Sequence, residues 1–265
     1  MNFSIIEIKE IISTLSIYEN MDYCGFSISF LKRRLSKLFE THNIKKISQF
    51  YEILKDDETR DRIIGEIFVE STEMFRDPAF WRYIRDNILK NIEPNSTIWV
   101  PNEASGEEIL SLSIILKELK LSNNLKLICN NPSKHSCQNI RNGLLRTSNY
   151  EINHLNYKRL ENFDLFESYF TKENNFYKAS QDLTVNILCK QSNYKKTIEN
   201  EKVAMILSRN QALYYNHNFS EQYFEFLYQK LMSGGLLSIG IKEKMPQSIA
   251  EKMYVVSETE KIYKK

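Results

Sequence analysis

Residues 97–119 read TIWVPNEASGEEILSLSIILKEL, and three kinds of segment follow one another in that stretch. "TIWV" at 97–100 is short, apolar and rich in β-favouring side chains, which predicts a buried strand. Small and polar residues up to Gly106 form a turn. From Glu107 the spacing of Ile109, Leu112 and Leu116 predicts a helix over 107–119. A strand that passes through such a turn into a helix is the repeating unit of an α/β sheet.

The same alternation continues downstream. "LKLIC" at 125–129 and "VAMILS" at 203–208 read as further buried strands, with helices over 132–142 and 221–231. Gly234 and Gly235 read as the glycine C-cap of the second of these helices. "LLSIG" at 236–240 is another strand, and "MYVVSETEKIYKK" at 253–265 reads as a closing antiparallel hairpin. Strands alternating with helices imply a mostly parallel sheet covered on both faces. The stretch 144–202 is polar and glycine-free; "YFTKENNFYKASQDLTVNILCK" within it reads as a strand pair.

Upstream the texture is helical. Ser4 and Glu7 form a capping-box pattern ahead of Ile5, Ile8, Ile12 and Leu15. Helices are expected over 27–40, with Phe30, Leu31, Leu35, Leu38 and Phe39 inward, over 48–54, and over 60–68, with Ile63, Ile64, Ile67 and Phe68 inward. Asp77 followed by Pro78 reads as an N-cap acceptor and first-turn proline for a helix carrying Phe80, Trp81, Ile84 and Ile88. The expected plan is a helical domain at 1–76, a linker helix at 77–96 and an α/β domain at 97–265.

Composition narrows the function. With 265 residues, 42% of them hydrophobic, the chain can bury a substantial core, and a net charge of +2 does not call for nucleic acid. No apolar run reaches the roughly 20 residues that would span a bilayer. The four cysteines (Cys24, Cys129, Cys137, Cys189) and four histidines show no metal-binding or redox spacing. With no signal-peptide pattern, the cysteines read as reduced thiols of a cytoplasmic protein.

In open α/β sheets ligands bind at the carboxyl ends of the strands. Three segments converge on that edge. Residues 101–108 lead into a helix N-terminus, whose N–H groups and dipole suit a polar or anionic group. Residues 129–131 follow the next strand, where a side chain can bond a ribose hydroxyl pair. "SRNQALYY" at 208–215 brings an arginine, an asparagine and two tyrosines to a strand end.

"TEMFRDPAFW" (72–81), "IWVPNEASGEEILSLSIIL" (98–116), "LSRNQALYYN" (207–216), "LMSGGLLSIGIKE" (231–243) and "EKIYKK" (260–265) stand in an order and spacing that resembles the chemotaxis-receptor methyltransferases, the CheR family. The resemblance covers nearly the whole chain, including "GFSISFLKRRLSKL" in the helical part. It implies a helical N-terminal domain, then a Rossmann-like domain that transfers a methyl group from S-adenosylmethionine to receptor glutamates. Carried over by motif position, Thr72 and Arg76 lie by the methionine end of the cofactor and the incoming carboxylate. Gly106 and Glu107 lie in the cofactor loop, Glu107 against the ligand's amino-acid end. Asn130 takes the place of a ribose-binding aspartate. Arg209, Asn210 and Tyr214 line the transfer site. The residue-level alternatives are a structural salt bridge for Arg76, to Asp77 or a nearby glutamate, and a core role for Tyr214.

The cofactor loop departs from the family pattern. Pro101, Asn102, Glu103 and Ala104 stand where an alanine-glycine-cysteine-serine stretch is usual, and Asn130 replaces an acid. Two readings therefore stand side by side: a protein-glutamate O-methyltransferase, and a non-catalytic relative that docks a signalling partner. Either uses the basic N-terminal helix (Lys32, Arg33, Arg34, Lys37) to meet an acidic helical surface, as a monomer. The other option for that helix is a solvated charged face.

Overall fold

The computed structural model describes residues 3–19, 23–67, 72–161, 165–198 and 201–265. Four helices open the chain: α1 (Ile5–Glu19), α2 (Ile28–Thr41), α3 (Ile47–Ile53) and α4 (Asp57–Ile67). The Ser4–Glu7 capping box forms, with Glu7 accepting from the Ser4 amide at 2.8 Å and Ser4 Oγ accepting from the Glu7 amide at 3.2 Å. Ser27 caps α2 by accepting from the Phe30 amide. The inward residues of these helices, including Ile8, Ile12, Leu35, Phe39, Phe50 and Ile63, make a core of their own. Phe68 lies outside the described residues.

Helix α5 (Pro78–Asn87) belongs elsewhere: Phe80, Trp81 and Ile84 join the core beneath the main sheet. Its start corrects the expected cap. Asp77 sits in the left-handed region (φ 57) and makes no side-chain cap bond. Its carboxylate turns to Arg209 instead.

The α/β part contains β1 (Thr97–Val100), α6 (Glu107–Glu118), β2 (Lys126–Asn131), α7 (Lys134–Arg141), β3 (Leu144–Arg146), α8 (Tyr150–Lys158), β4 (Phe170–Glu173), β5 (Phe176–Ala179), α9 (Gln181–Thr184), β6 (Ile187–Gln191), α10 (Tyr194–Thr197), β7 (Val203–Ser208), α11 (His217–Lys230), β8 (Leu231–Ile239), α12 (Gln247–Ala250), β9 (Tyr254–Ser257) and β10 (Ile262–Lys264). Seven strands form one sheet in the order β6-β2-β1-β7-β8-β10-β9. The first five are parallel, and the β9–β10 hairpin closes the edge antiparallel. The strands β3, β5 and β4 form a small separate antiparallel sheet within 144–202.

Alternation along the strands divides the core. On β1, Ile98 and Val100 face one layer while Trp99 faces the other; on β7, Met205 and Leu207 oppose Ile206. The glycine pair 234–235 proves not to cap α11. The helix ends at Lys230 and the chain enters β8 directly, with Gly234 at φ 76 inside that strand, where its register against β7 shifts. A positive-φ glycine is equally at home in a cap and in a strand irregularity, so the residue alone did not distinguish them.

Candidate active site

Strand order reverses between β1 and β7, whose neighbours run outward on opposite sides. At such a switch point the loops diverge and leave a crevice. Here the crevice is a cleft with about 820 Å³ of empty space, its open mouth included. Its floor is the β1–α6 loop (Asn102, Glu103, Ala104) with Glu108, and its far wall is the β7–α11 loop (Arg209, Asn210, Gln211, Tyr214, Tyr215). Thr72, Glu73, Arg76 and Trp81 close one end, and Phe26 and Phe30 of the helical part form a roof.

The roof is hooked onto the far wall. The Ser27 amide donates to the Tyr214 carbonyl at 2.8 Å, and the Asn216 amide to the Gly25 carbonyl at 2.9 Å. Phe30 packs on Tyr214 (ring centroids 4.6 Å apart) and Phe26 on Tyr215 (5.2 Å). Gly25 is required there, because a Cβ would lie 2.4 Å from the Phe219 ring.

Thr72, Arg76, Arg209, Asn210 and Tyr214 all line the cleft; Gly106, Glu107 and Asn130 do not. The two arginines differ. Arg209, its side chain 2% exposed, lies between Asp77 Oδ2 at 2.7 Å and Glu108 Oε1 at 3.8 Å, donates to the Arg76 carbonyl at 3.1 Å, and stacks 3.9 Å above the Phe80 ring. Arg76 has no ion pair or side-chain hydrogen bond among the described residues. The salt bridge to Asp77 belongs to Arg209.

The acidic cluster is arranged by the pitch of α6. Consecutive helical residues point about 100° apart, so Glu107 and Glu108 cannot share a face. Glu107 turns inward, 2% exposed, and accepts from Thr72 Oγ1 at 2.7 Å and Ser105 Oγ at 2.5 Å. Burial raises its pKa against those hydroxyls. Glu108 faces the cleft, and its Oε1 is buried without a hydrogen-bond partner. Burial pushes Glu108 up to about 8, opposed by Arg209.

Glu103 corrects the expectation for the helix N-terminus. Its carboxylate accepts from the Gly106 amide at 3.1 Å and the Ile109 amide at 3.0 Å. Those N–H groups, with Gly106 at φ 103, are thus not free for an anionic ligand. Burial pushes Glu103 up to about 7, with the Glu107 charge adding to it.

Sequence reasoning missed Glu243. It is 3% exposed and accepts from the amides of Asn210 at 2.7 Å and Ala212 at 2.6 Å, and from Gly240. That fixes the loop carrying Arg209, Asn210 and Tyr214, and holds Asn210 at φ 61. Its only signal was a glutamate three residues beyond a strand-ending glycine. Burial raises its pKa against the three amides.

The end of β2 is also occupied. Asn130 is 0% exposed, and its amide bonds Trp99, the Asn102 backbone and side chain, and the Ser192 carbonyl. The cleft therefore fits the amino-acid part of S-adenosylmethionine, with a Glu108 oxygen that lacks a hydrogen-bond partner and an Arg76 guanidinium that lacks one among the described residues. It does not offer Asn130 to a ribose in this arrangement. Among the described residues no cluster suits a metal ion, and no helix is long and apolar enough to cross a membrane.

Residues 70–262 match the family described as CheR methyltransferase, SAM binding domain. Over 243 residues the chain is 21% identical to Cher3 of Pseudomonas putida, a methyltransferase by assignment, covering 91% of this chain and 89% of that protein. Two solved structures of the N-methyltransferase NodS from Bradyrhizobium japonicum are also similar. The one in complex with S-adenosyl-L-homocysteine has a TM-score of 0.36 at 10% identity and covers 72% of this chain and 70% of that one. The other has a TM-score of 0.39 at 9% identity, covering 72% and 96%.

Proposed function

The chain belongs to the CheR methyltransferase family, whose cofactor is S-adenosylmethionine, and on that premise we propose that it methylates glutamate side chains of a chemoreceptor-like signalling protein. The observation that carries this reading is Arg76: a guanidinium with no ion pair or side-chain hydrogen bond among the described residues, lining the same cleft as Tyr214. The cofactor supplies a methyl group already activated on a sulfonium. The chain's task is then to hold a carboxylate oxygen in line with that methyl, at about 3 Å, and to exclude water.

Arg76 orients the carboxylate by bidentate hydrogen bonds. Arg209 is engaged with Asp77 and keeps Arg76's backbone in place. Tyr214 steadies the carboxylate, and Glu243 steadies Tyr214 by fixing its loop. Thr72 and Asn210 complete the polar lining. Glu108 Oε1 receives the cofactor's ammonium, a cation that replaces the hydration this oxygen lacks. Glu107, one residue earlier, acts indirectly by fixing the Thr72 hydroxyl.

Docking uses the basic face of α2. Arg33 and Lys37 are exposed and Lys32 is half-buried. Arg34 contributes less, because its Nε donates to the Ile67 carbonyl at 3.1 Å at the end of α4. We place the chain in the cytoplasm as a monomer without a nucleic-acid role, with 1–76 docking the substrate, 77–96 linking and 97–265 binding the cofactor.

The test is incubation with methyl-labelled S-adenosylmethionine and a glutamate-rich receptor helix fragment. Label released as methanol by mild base, and lost with Arg76→Met, is the expected result. Absence of base-labile label on every acidic fragment rejects the assignment. The hydrogen-bonded state of Asn130 favours a second reading, a docking module that binds no cofactor. S-adenosylhomocysteine failing to bind at millimolar concentration while the receptor fragment still binds selects that reading.

A further inference from the structure

We infer that Asn102 is a latch that holds the adenosine end of the cleft shut, so that cofactor affinity is set by the cost of withdrawing this one side chain. This rests on the reading that the cleft binds S-adenosylmethionine.

A side-chain amide has two acceptor positions on oxygen and two N–H donors. On Asn130 all four are in use. Its Oδ1 accepts from Trp99 Nε1 at 3.3 Å and from the Asn102 amide at 3.2 Å. Its Nδ2 donates to Asn102 Oδ1 at 3.1 Å and to the Ser192 carbonyl at 3.2 Å. The side chain at the end of β2, where a ribose is ordinarily held, has nothing left to offer a hydroxyl. An aspartate at that position has no donors and cannot make two of these four bonds, so the asparagine is matched to this closed arrangement.

Asn102 takes up the space between the two loops as well. Its Nδ2 donates to Gln211 Oε1 and to the Tyr215 hydroxyl, each at 3.3 Å. Gln211 in turn accepts from the Tyr223 hydroxyl at 2.9 Å and donates to the Pro101 carbonyl. The network thus ties the β1–α6 loop to the β7–α11 loop across the switch point. The bonds made by Asn102 are long ones and its side chain is only partly buried, whereas Asn130 is fully buried. Asn102 is therefore the member that can leave. Its departure frees one donor of Asn130 and opens the gap at the same stroke.

The backbone makes a clean test possible. Asn102 sits at φ 50, in the left-handed region where glycine is favoured over asparagine. Asn102→Gly removes the latch without straining the loop. Calorimetric titration with S-adenosylhomocysteine compares the wild-type chain with Asn102→Gly and with the double variant Asn102→Gly/Asn130→Asp; thermal melts confirm that each is folded. The expected result is binding at least ten times tighter for Asn102→Gly than for wild type, and tighter again for the double variant. Should the double variant not fold, Asn102→Ala serves as the second comparison, with the same sign expected. Wild type binding as tightly as Asn102→Gly overturns the latch while leaving the methyltransferase reading intact. No binding by any folded variant at millimolar ligand overturns both.

Discussion

The two ends of one cleft follow opposite rules. At the Asn102–Asn130 end all four hydrogen-bonding positions of the Asn130 amide are filled inside the chain, and both donors of the Asn102 amide are used. At the Arg76–Glu108 end a buried Glu108 oxygen has no hydrogen-bond partner, only the Arg209 guanidinium at 3.8 Å, and the Arg76 guanidinium makes no ion pair or hydrogen bond among the described residues. A buried polar group left unpaired costs about 1–3 kcal/mol, so the second end is paid for elsewhere in the fold and the first is part of what holds the fold together. Unsatisfied groups mark where a ligand's own charges complete the arrangement. Satisfied ones mark where a ligand must first break something.

The comparison breaks most visibly at Arg209, which lies at the ligand end but is tied up like the other one. Arg209→Met leaves Asp77 and Glu108 without their cation and is expected to cost about 3–5 kcal/mol in urea denaturation. A loss under about 1 kcal/mol removes Arg209 from the framework. At the closed end, Asn130→Asp strips the donors from Asn102 Oδ1 and the Ser192 carbonyl. The expected cost is about 2–4 kcal/mol by the same measurement. An unchanged stability there means that the network contributes nothing to the fold.

Arg76→Met sharpens the contrast from the other side. It breaks no bond among the described residues, so the thermal midpoint should stay within a degree or two. Methyl transfer should fall about 100-fold, equivalent to roughly 2.7 kcal/mol of lost transition-state binding. Equal losses of stability and rate would make it a structural residue.

The smallest effect concerns pH. Burial holds Glu108 at about 8, above the ordinary 4.5, so the folded chain keeps this proton where the unfolded chain has lost it. Its contribution to stability is complete below pH 4.5 and is lost as pH rises through about 8. Glu103, at about 7, acts in the same direction over a narrower range. Glu108→Gln should remove this residue's share of the decline between pH 4.5 and about 8, of which about 1 kcal/mol falls between pH 7 and 8.5, and leave the share of Glu103, which ends near pH 7. A wild-type melting profile flat from pH 5 to 8.5 rejects this account.

What local sequence expresses was legible. Strands 97–100 and 203–208 were read with the bounds they have, because a buried strand must be apolar throughout its length. The capping box at Ser4 follows from hydrogen bonds within one turn. The β3–β5–β4 sheet was legible only as a strand pair, since short, half-exposed strands carry little periodic signal. The convergence of Thr72, Arg76, Arg209, Asn210 and Tyr214 on one cleft was anticipated from motif order; which arginine is free was not.

By itself, then, the sequence determined the helices, the buried strands and the loops that meet at the switch point, because each depends on residues a few positions apart. Tertiary structure alone decided the partners: Asp77 with Arg209 rather than with its own helix, Glu103 on the N–H groups of α6, and Asn102 against Asn130. The reason is that a polar side chain's partner is set by distance in space and by competition for a limited number of donors and acceptors. Neither quantity is written in the spacing of residues along the chain.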